Sequence, residues 1–211
     1  MTSHAIELLP LRGELLLEHL DAIARLRIAV FRDWPYLYDG DLDYERQYLA
    51  AYAKSPDSFC ALALACGEVI GASTGIPLSD DAPGSAQPFV EAGVPPAQVF
   101  YFGESVLLPA WRSRGLGHRF FYLRDAHARE LGRFRWTAFC AVRRDSEDPR
   151  RPSGHRGNEA FWQRRGYARQ AGMACELRWK EVGNDSVTPH CLDYWLREWP
   201  EWPVPDRQAL S

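Results

Sequence analysis

Between Pro109 and Phe121 the chain reads PAWRSRGLGHRFF. Arg112, Arg114, Gly115 and Gly117 sit in one tight turn, after the apolar run Val106, Leu107, Leu108 and before a helical pattern. A helix that starts near Arg114 leaves its first backbone N–H groups without intrahelical partners, and its dipole places partial positive charge at the same end. Glycines carry no Cβ, so a ligand can come close to the backbone, and the arginines add charge. That combination binds anions, and a phosphate or pyrophosphate is the natural occupant. The alternative is a strand–helix corner whose glycines serve packing. A P-loop is excluded because the Lys-Ser/Thr ending is absent, and GLGHRF does not reproduce the dinucleotide fingerprint. His118, at the start of the helix, either contacts the anion or caps the turn.

A second candidate lies just upstream, in VFYFGESVLL. Glu104 is a carboxylate in an otherwise apolar strand, a position that suits a proton acceptor. Strand alternation puts Glu104, Val106 and Leu108 on one face. The competing reading is a strand-end glutamate, salt-bridged or solvated.

Two loops carry concentrated charge. FRDWPYLYDGDLDYERQY interleaves Trp34, Tyr36, Tyr38 and Tyr44 with Asp33, Asp39, Asp41, Asp43 and Glu45. Aromatic faces and carboxylates together suit a cationic amine. Equally, the rings can cap the core while the acids face water. RRDSEDPRRPSGHRG, residues 143–157, holds Arg143, Arg144, Arg150, Arg151 and Arg156 and suits an anionic partner. His127 and His155 read as packed or surface histidines rather than catalysts.

These candidates need a scaffold, and the apolar pattern supplies one. Strands are expected at residues 5–11, 58–65, 68–77, 99–108 and 134–142, with a further strand at 172–180. Helices are expected at 14–31, 41–54, 114–131 and 158–167, and Gly132 stops the third. The segment 79–98 is a long loop with a helical turn from Pro88 to Ala92, and 189–203 starts helical. The unit 99–142 is strand–helix–strand, which implies parallel pairing of its strands. A hairpin combined with such a unit gives an α/β (α+β) single domain with a mixed central sheet of about six or seven strands flanked by helices.

The chain has 211 residues, 46% of them hydrophobic and 25% charged, with a net charge of −3. These values fit one soluble globular domain. They exclude the basic electrostatics of most nucleic-acid binders. No apolar run approaches a membrane span and the first residues lack a secretory pattern, so a cytoplasmic protein is expected. Cys60, Cys66, Cys140, Cys175 and Cys191 are odd in number and form no CxxC pair, which favours buried free thiols over disulfides or a zinc site.

The string ESVLLPAWRSRGLGHRFF resembles the acetyl-CoA-binding motif of the GNAT superfamily of N-acetyltransferases, in which a strand ending in proline leads through Arg/Gln-x-x-Gly-x-Gly/Ala into a helix. NEAFWQRRGY is similar to a later helix of that family, with Asn158, Ala160, Phe161, Gly166 and Tyr167 in matching places. The resemblance covers roughly residues 5–180, so a GNAT-like domain over 1–185 is expected, followed by a Trp-rich extension over 186–211. It implies that the strands 99–108 and 134–142 splay around the cofactor. It implies that backbone N–H groups from Arg114 to His118, with Arg112, Gly115, Leu116 and Gly117, hold the CoA pyrophosphate. The strand residues Val106, Leu107 and Leu108 would run beside the pantetheine arm, and Asn158 and Trp162 would lie near its acetyl end. Glu104 would be the general base, and Trp34, Tyr36 and Tyr38 would line the acceptor site. Trp162 stands where the family commonly has a tyrosine, which leaves the general acid unassigned. The activity implied is direct transfer of an acetyl group from acetyl-CoA to a primary amine of a small molecule or peptide, with no metal, no nucleic acid and no membrane partner. The alternative is a non-catalytic acyl-CoA-binding regulatory module. Trp195, Trp199 and Trp202 would pack on the sheet or form a homodimer interface.

Overall fold

A computed structural model describes residues 5–82 and 84–199. The chain begins with β1 (Ile6–Leu11) and a 3-10 turn over Gly13–His19, which replaces the first part of the helix expected from residue 14. The helices α1 (Leu20–Phe31) and α2 (Leu42–Lys54) follow, and the Asp41 side chain caps α2 by accepting from the Tyr44 N–H at 2.8 Å. The hairpin strands are β2 (Phe59–Ala65) and β3 (Glu68–Pro77), as the pattern predicts. The long loop contains the short α3 (Gln87–Glu91).

The single strand expected over 99–108 is two strands, β4 (Val99–Tyr101) and β5 (Ser105–Leu107). The break falls at Phe102, Gly103 and Glu104. Here the backbone presses so close to its neighbours that a Cβ on Gly103 would stand 2.0 Å from the Tyr52 hydroxyl and 2.7 Å from Thr74 Oγ1. Only glycine fits such an approach. The chain continues through α4 (Leu116–Glu130), β6 (Trp136–Val142), α5 (Glu159–Gln163), β7 (Ala168–Lys180) and β8 (Val187–Glu198). Gly132, with φ of 71°, follows α4 as expected.

The sheet runs β1-β2-β3-β4-β6-β8-β7, with β5 added on β3. Its eight strands exceed the six or seven expected because of the split at Glu104 and because β8 is a strand. Residues 189–203 were expected to start helical; instead Val187–Glu198 fill the sheet between β6 and β7. The cause is burial on both sides. Tyr194 packs into one core and Trp195 and Trp199 into the other, so the apolar run shows no clean alternation and reads equally well as a helix. Trp195 and Trp199 are buried and offer no exposed patch to a second copy; Trp202 lies outside the described residues.

β4 pairs parallel with β6, and every other pairing is antiparallel. Two cores lie on opposite faces of the sheet. Along β2, Cys60 and Leu62 enter the core under α1 and α2, while Phe59, Ala61, Ala63 and Ala65 enter the core under α4. The Phe102 N–H still reaches the Ala138 carbonyl at 2.7 Å, but β5 then follows β3 alone and pairs with nothing on the β6 side. A gap opens between β5 and β6, the splay expected between the strands 99–108 and 134–142. No helix of the described residues is long and apolar enough to cross a membrane.

Candidate active site

The gap widens into a cavity of about 770 Å³. The turn before α4 closes one end, and the segment after α1 walls the other.

The turn is built by backbone conformation. Ser113 and Gly115 adopt left-handed φ of 61° and 79°, and Gly115 is the residue before the first turn of α4. The first backbone donors of α4 are His118 and Arg119, both bonding to the Gly115 carbonyl, at 3.1 and 3.3 Å. The N–H groups of Arg114, Gly115, Leu116 and Gly117 make no hydrogen bond among the described residues. The His118 N–H is therefore withdrawn from the expected cradle of residues 114–118. A Cβ on Gly117 would meet only Phe161 Cζ, at 3.4 Å. Protein packing alone does not demand glycine there, and the missing side chain leaves the cavity open at that point.

The arginine side chains behave differently from the backbone. Arg112 lines the cavity and donates from Nε to the Leu107 carbonyl at 3.1 Å. Arg114 turns away, donating to the Ala110 carbonyl at 3.3 Å and stacking on the Trp111 ring, 4.7 Å from its centroid. The His118 ring accepts from Arg165 and stands edge-on to Phe161.

Along β5 the backbone groups alternate. The Leu108 N–H bonds to the Ile70 carbonyl at 3.0 Å, and the Thr74 N–H bonds to the Glu104 carbonyl at 3.0 Å. In an antiparallel ladder of that phase, Ser105 and Leu107 point their N–H and C=O groups away from β3, toward the gap. Both residues line the cavity. Of the strand residues expected beside a cofactor arm, Leu107 faces the gap. Leu108 is already bonded to β3, and Val106 is fully buried against the α1 side.

Glu104 lies in the break between β4 and β5 rather than on a strand, and it is 8% exposed. Its side chain faces α1 and α2, the side that Val106 also faces. Arg27 Nη1 contacts Glu104 Oε2 at 2.5 Å, and the Tyr48 hydroxyl donates to the same oxygen at 3.1 Å. Oε1 is buried and has no hydrogen-bond partner. Arg27 also pairs through Nε with the buried Glu45, and its guanidinium lies 4.2 Å from the Tyr48 ring centroid. Two carboxylates thus share one arginine. Burial pushes the Arg27 guanidinium down, but the neighbouring carboxylates of Glu104 and Glu45 outweigh it and hold the group well above its ordinary value. Burial raises the hydroxyls of Tyr48 and Tyr52, which bond to each other at 3.0 Å, so both stay neutral donors.

Arg124 braces the break from the opposite face. It is 2% exposed, donates from Nη1 to the carbonyls of Thr74 and Glu104 at 3.3 Å each, and lies 4.0 Å from the Phe102 centroid. Burial brings its guanidinium down to about 10. Sequence reading missed Arg27 and Arg124, and it took Glu45 for a loop acid facing an amine or water rather than a buried partner of Arg27. A signal existed: each occupies the apolar stripe of its helix, where a charge demands a partner.

At the far wall, Trp34 and Tyr36 line the cavity, together with Val30, Phe31 and Pro35. Tyr38 does not; it is buried with Trp179 and Leu192. Asn158 lines the cavity and makes no side-chain cap to α5, which leaves its amide available. Trp162 lines it too, edge-on to Phe139 and Trp195 at 4.9 and 5.1 Å. Tyr167 bonds to Thr137 Oγ1 at 2.8 Å in the core, as a packing residue. Of the thiols, Cys60 is buried, Cys66 and Cys191 are exposed, and none forms a disulfide. No group of three or more His, Cys, Asp or Glu among the described residues is placed to hold a metal.

No protein-family model and no curated protein matches the sequence. Solved structures do match the fold. The acetyltransferase of GNAT family from Streptococcus pneumoniae is similar at a TM-score of 0.54 and 14% identity, covering 90% of this chain and 99% of that one. The N-acetyltransferase from Staphylococcus aureus Mu50 gives 0.56 at 12% identity, over 91% and 98%. The PaiA N-acetyltransferase from Thermoplasma acidophilum, in complex with coenzyme A, gives 0.55 at 12% identity, over 92% and 99%. The chain has the fold of the GNAT acetyltransferases.

Proposed function

We propose that this protein is an acyl-CoA-dependent N-acetyltransferase that passes an acetyl group from acetyl-CoA directly to a primary amine. One observation carries the reading: the unbonded backbone N–H groups of Gly115 to Gly117 belong to the wall of the same cavity as Glu104, where the sheet parts, and Glu104 Oε1 is buried beside it without a hydrogen-bond partner.

The pyrophosphate of CoA sits against the N–H groups of Arg114 to Gly117, where the helix dipole favours negative charge. The pantetheine arm runs in the gap and pairs with the outward N–H of Leu107. Asn158 and Trp162 flank the same channel. The thioester then lies beside the break at Glu104. The amine nitrogen attacks the thioester carbon, and the Glu104 carboxylate accepts, through a water, the proton that the nitrogen loses. The outward N–H of Ser105, next to the break, stabilises the oxyanion. The C–S bond breaks, and the departing thiolate takes its proton from water, because Trp162 offers no hydroxyl.

The decisive experiment is free CoA release with acetyl-CoA and a panel of primary amines. Turnover that Glu104→Gln removes supports the reading. Tight CoA binding without turnover on any amine would replace it with a non-catalytic acyl-CoA-binding module.

A further inference from the structure

The two loops around the acceptor end carry opposite charges, and most of each set is engaged before it reaches the cavity. On the acidic side, Asp39 pairs with Arg32 and Lys180 at 3.0 Å each, and Asp43 pairs with Arg46 at 2.9 Å. Asp41 caps α2 at 2.8 Å, and Glu45 pairs with Arg27. On the basic side, Arg143 pairs with Asp193, and Arg144 with Glu181 at 2.5 Å. Arg150 pairs with Glu181 and Asp148 at 2.6 and 2.7 Å, and Arg151 donates to the Ser146 carbonyl at 3.2 Å.

Among the described residues Glu104 is the one carboxylate that lines the cavity. Carbonyls on the acceptor wall could hold an ammonium, but those of Pro35 and Tyr36 already accept from Arg144 at 2.5 and 2.7 Å. The Tyr36 carbonyl also accepts from Trp179 Nε1 at 3.1 Å. The charged groups that remain along the cavity are cationic: Arg112, Arg124 and Arg156. A second ammonium entering here would lose its hydration and find no anion, and the other charged side chains along the cavity share its sign. An apolar body would instead meet Val30, Phe31, Trp34 and Tyr36.

We infer that the acceptor is a monoamine with a flat apolar body, an arylalkylamine in chemical class, and that polyamines, aminoglycosides and basic peptides are excluded by the shortage of anionic groups in the cavity. This rests on the reading of the cavity as an acetyl-transfer site. It also revises the cationic cage suggested by the sequence of residues 33–45: two of its rings reach the cavity and its acids do not.

The test uses the full chain with acetyl-CoA and compares 2-phenylethylamine with spermidine and an aminoglycoside. It has two readouts: kcat/KM from CoA release, and equilibrium binding of each amine to the CoA-saturated protein by calorimetry. The expected result is a preference for 2-phenylethylamine of about tenfold or more in kcat/KM, the size of discrimination an apolar site gives. Trp34→Ala should raise KM for 2-phenylethylamine about tenfold while CoA affinity stays unchanged. Should that variant fail to fold, Val30→Asp serves, because a second carboxylate on the wall should raise spermidine relative to 2-phenylethylamine. Spermidine used as well as 2-phenylethylamine, or a ratio unmoved by Val30→Asp, overturns the acceptor class while transfer stands. Binding of 2-phenylethylamine without turnover of any amine supports the class and overturns the transfer reading. Failure of 2-phenylethylamine to bind a protein that holds CoA overturns the class.

Discussion

The turn at Pro109–His118 and the break at Phe102–Glu104 lie at one cavity but are built by opposite means. The turn works through the backbone: two left-handed residues, a helix start and four unbonded N–H groups. Its side chains are peripheral, and Arg114 turns away altogether. The break works through side chains drawn from distant segments. Arg27 comes from α1, Glu45 and Tyr48 from α2, and Arg124 from α4, and they converge on a single glutamate and its carbonyl. A site made of backbone is local and tolerates change around it. A site made of converging side chains fails when any member is removed.

That contrast can be broken in order of expected effect. Glu104→Gln should lower turnover by about 10²–10⁴-fold, the usual contribution of a positioned base, with CoA affinity measured by calorimetry unchanged. An equal loss of CoA binding would mean that the two regions are not separable. Glu45→Ala never touches the cavity, yet it leaves Arg27 with one buried partner instead of two. Denaturant unfolding should show a loss of about 3–5 kcal/mol, the cost of breaking a buried pair. Gly117→Asp attacks the turn instead. It should weaken CoA binding about a hundredfold, the loss of one or two charge-assisted hydrogen bonds at about 1.5–3 kcal/mol each. Its thermal melting curve should not move, because the added Cβ meets only Phe161 at 3.4 Å. Arg114→Ala should change CoA affinity least, by under about threefold, as befits an exposed side chain with no ionic partner. A large loss there would return the phosphate contact from the backbone to the arginine.

Much of the scaffold was legible in the sequence. The hairpin of β2 and β3, the helix α4 with its glycine stop, and the parallel pairing of β4 with β6 all follow from periodicity and turn residues. The strand β8 was not legible as one, because its middle, residues 192–195, is covered on both faces and has no period that separates strand from helix. The split of residues 99–108 was hidden for another reason. The residue that demands it, Gly103, is forced by Tyr52 and Thr74, which are remote in sequence.

The same division holds at the site. The sequence by itself determined the turn, since Gly115, Gly117 and the helix that follows act through conformations those residues hold locally. It also marked Glu104 as an unusual acid in an apolar stretch. Only the tertiary structure decided which charges face the cavity. Ten charged residues of the two loops look equally available in sequence, Asp33, Asp39, Asp41, Asp43 and Glu45 on one side and Arg143, Arg144, Arg150, Arg151 and Arg156 on the other. Arg156 alone among them lines the cavity. A charge reports its sign in the sequence, but whether it is free depends on a partner that folding brings from elsewhere.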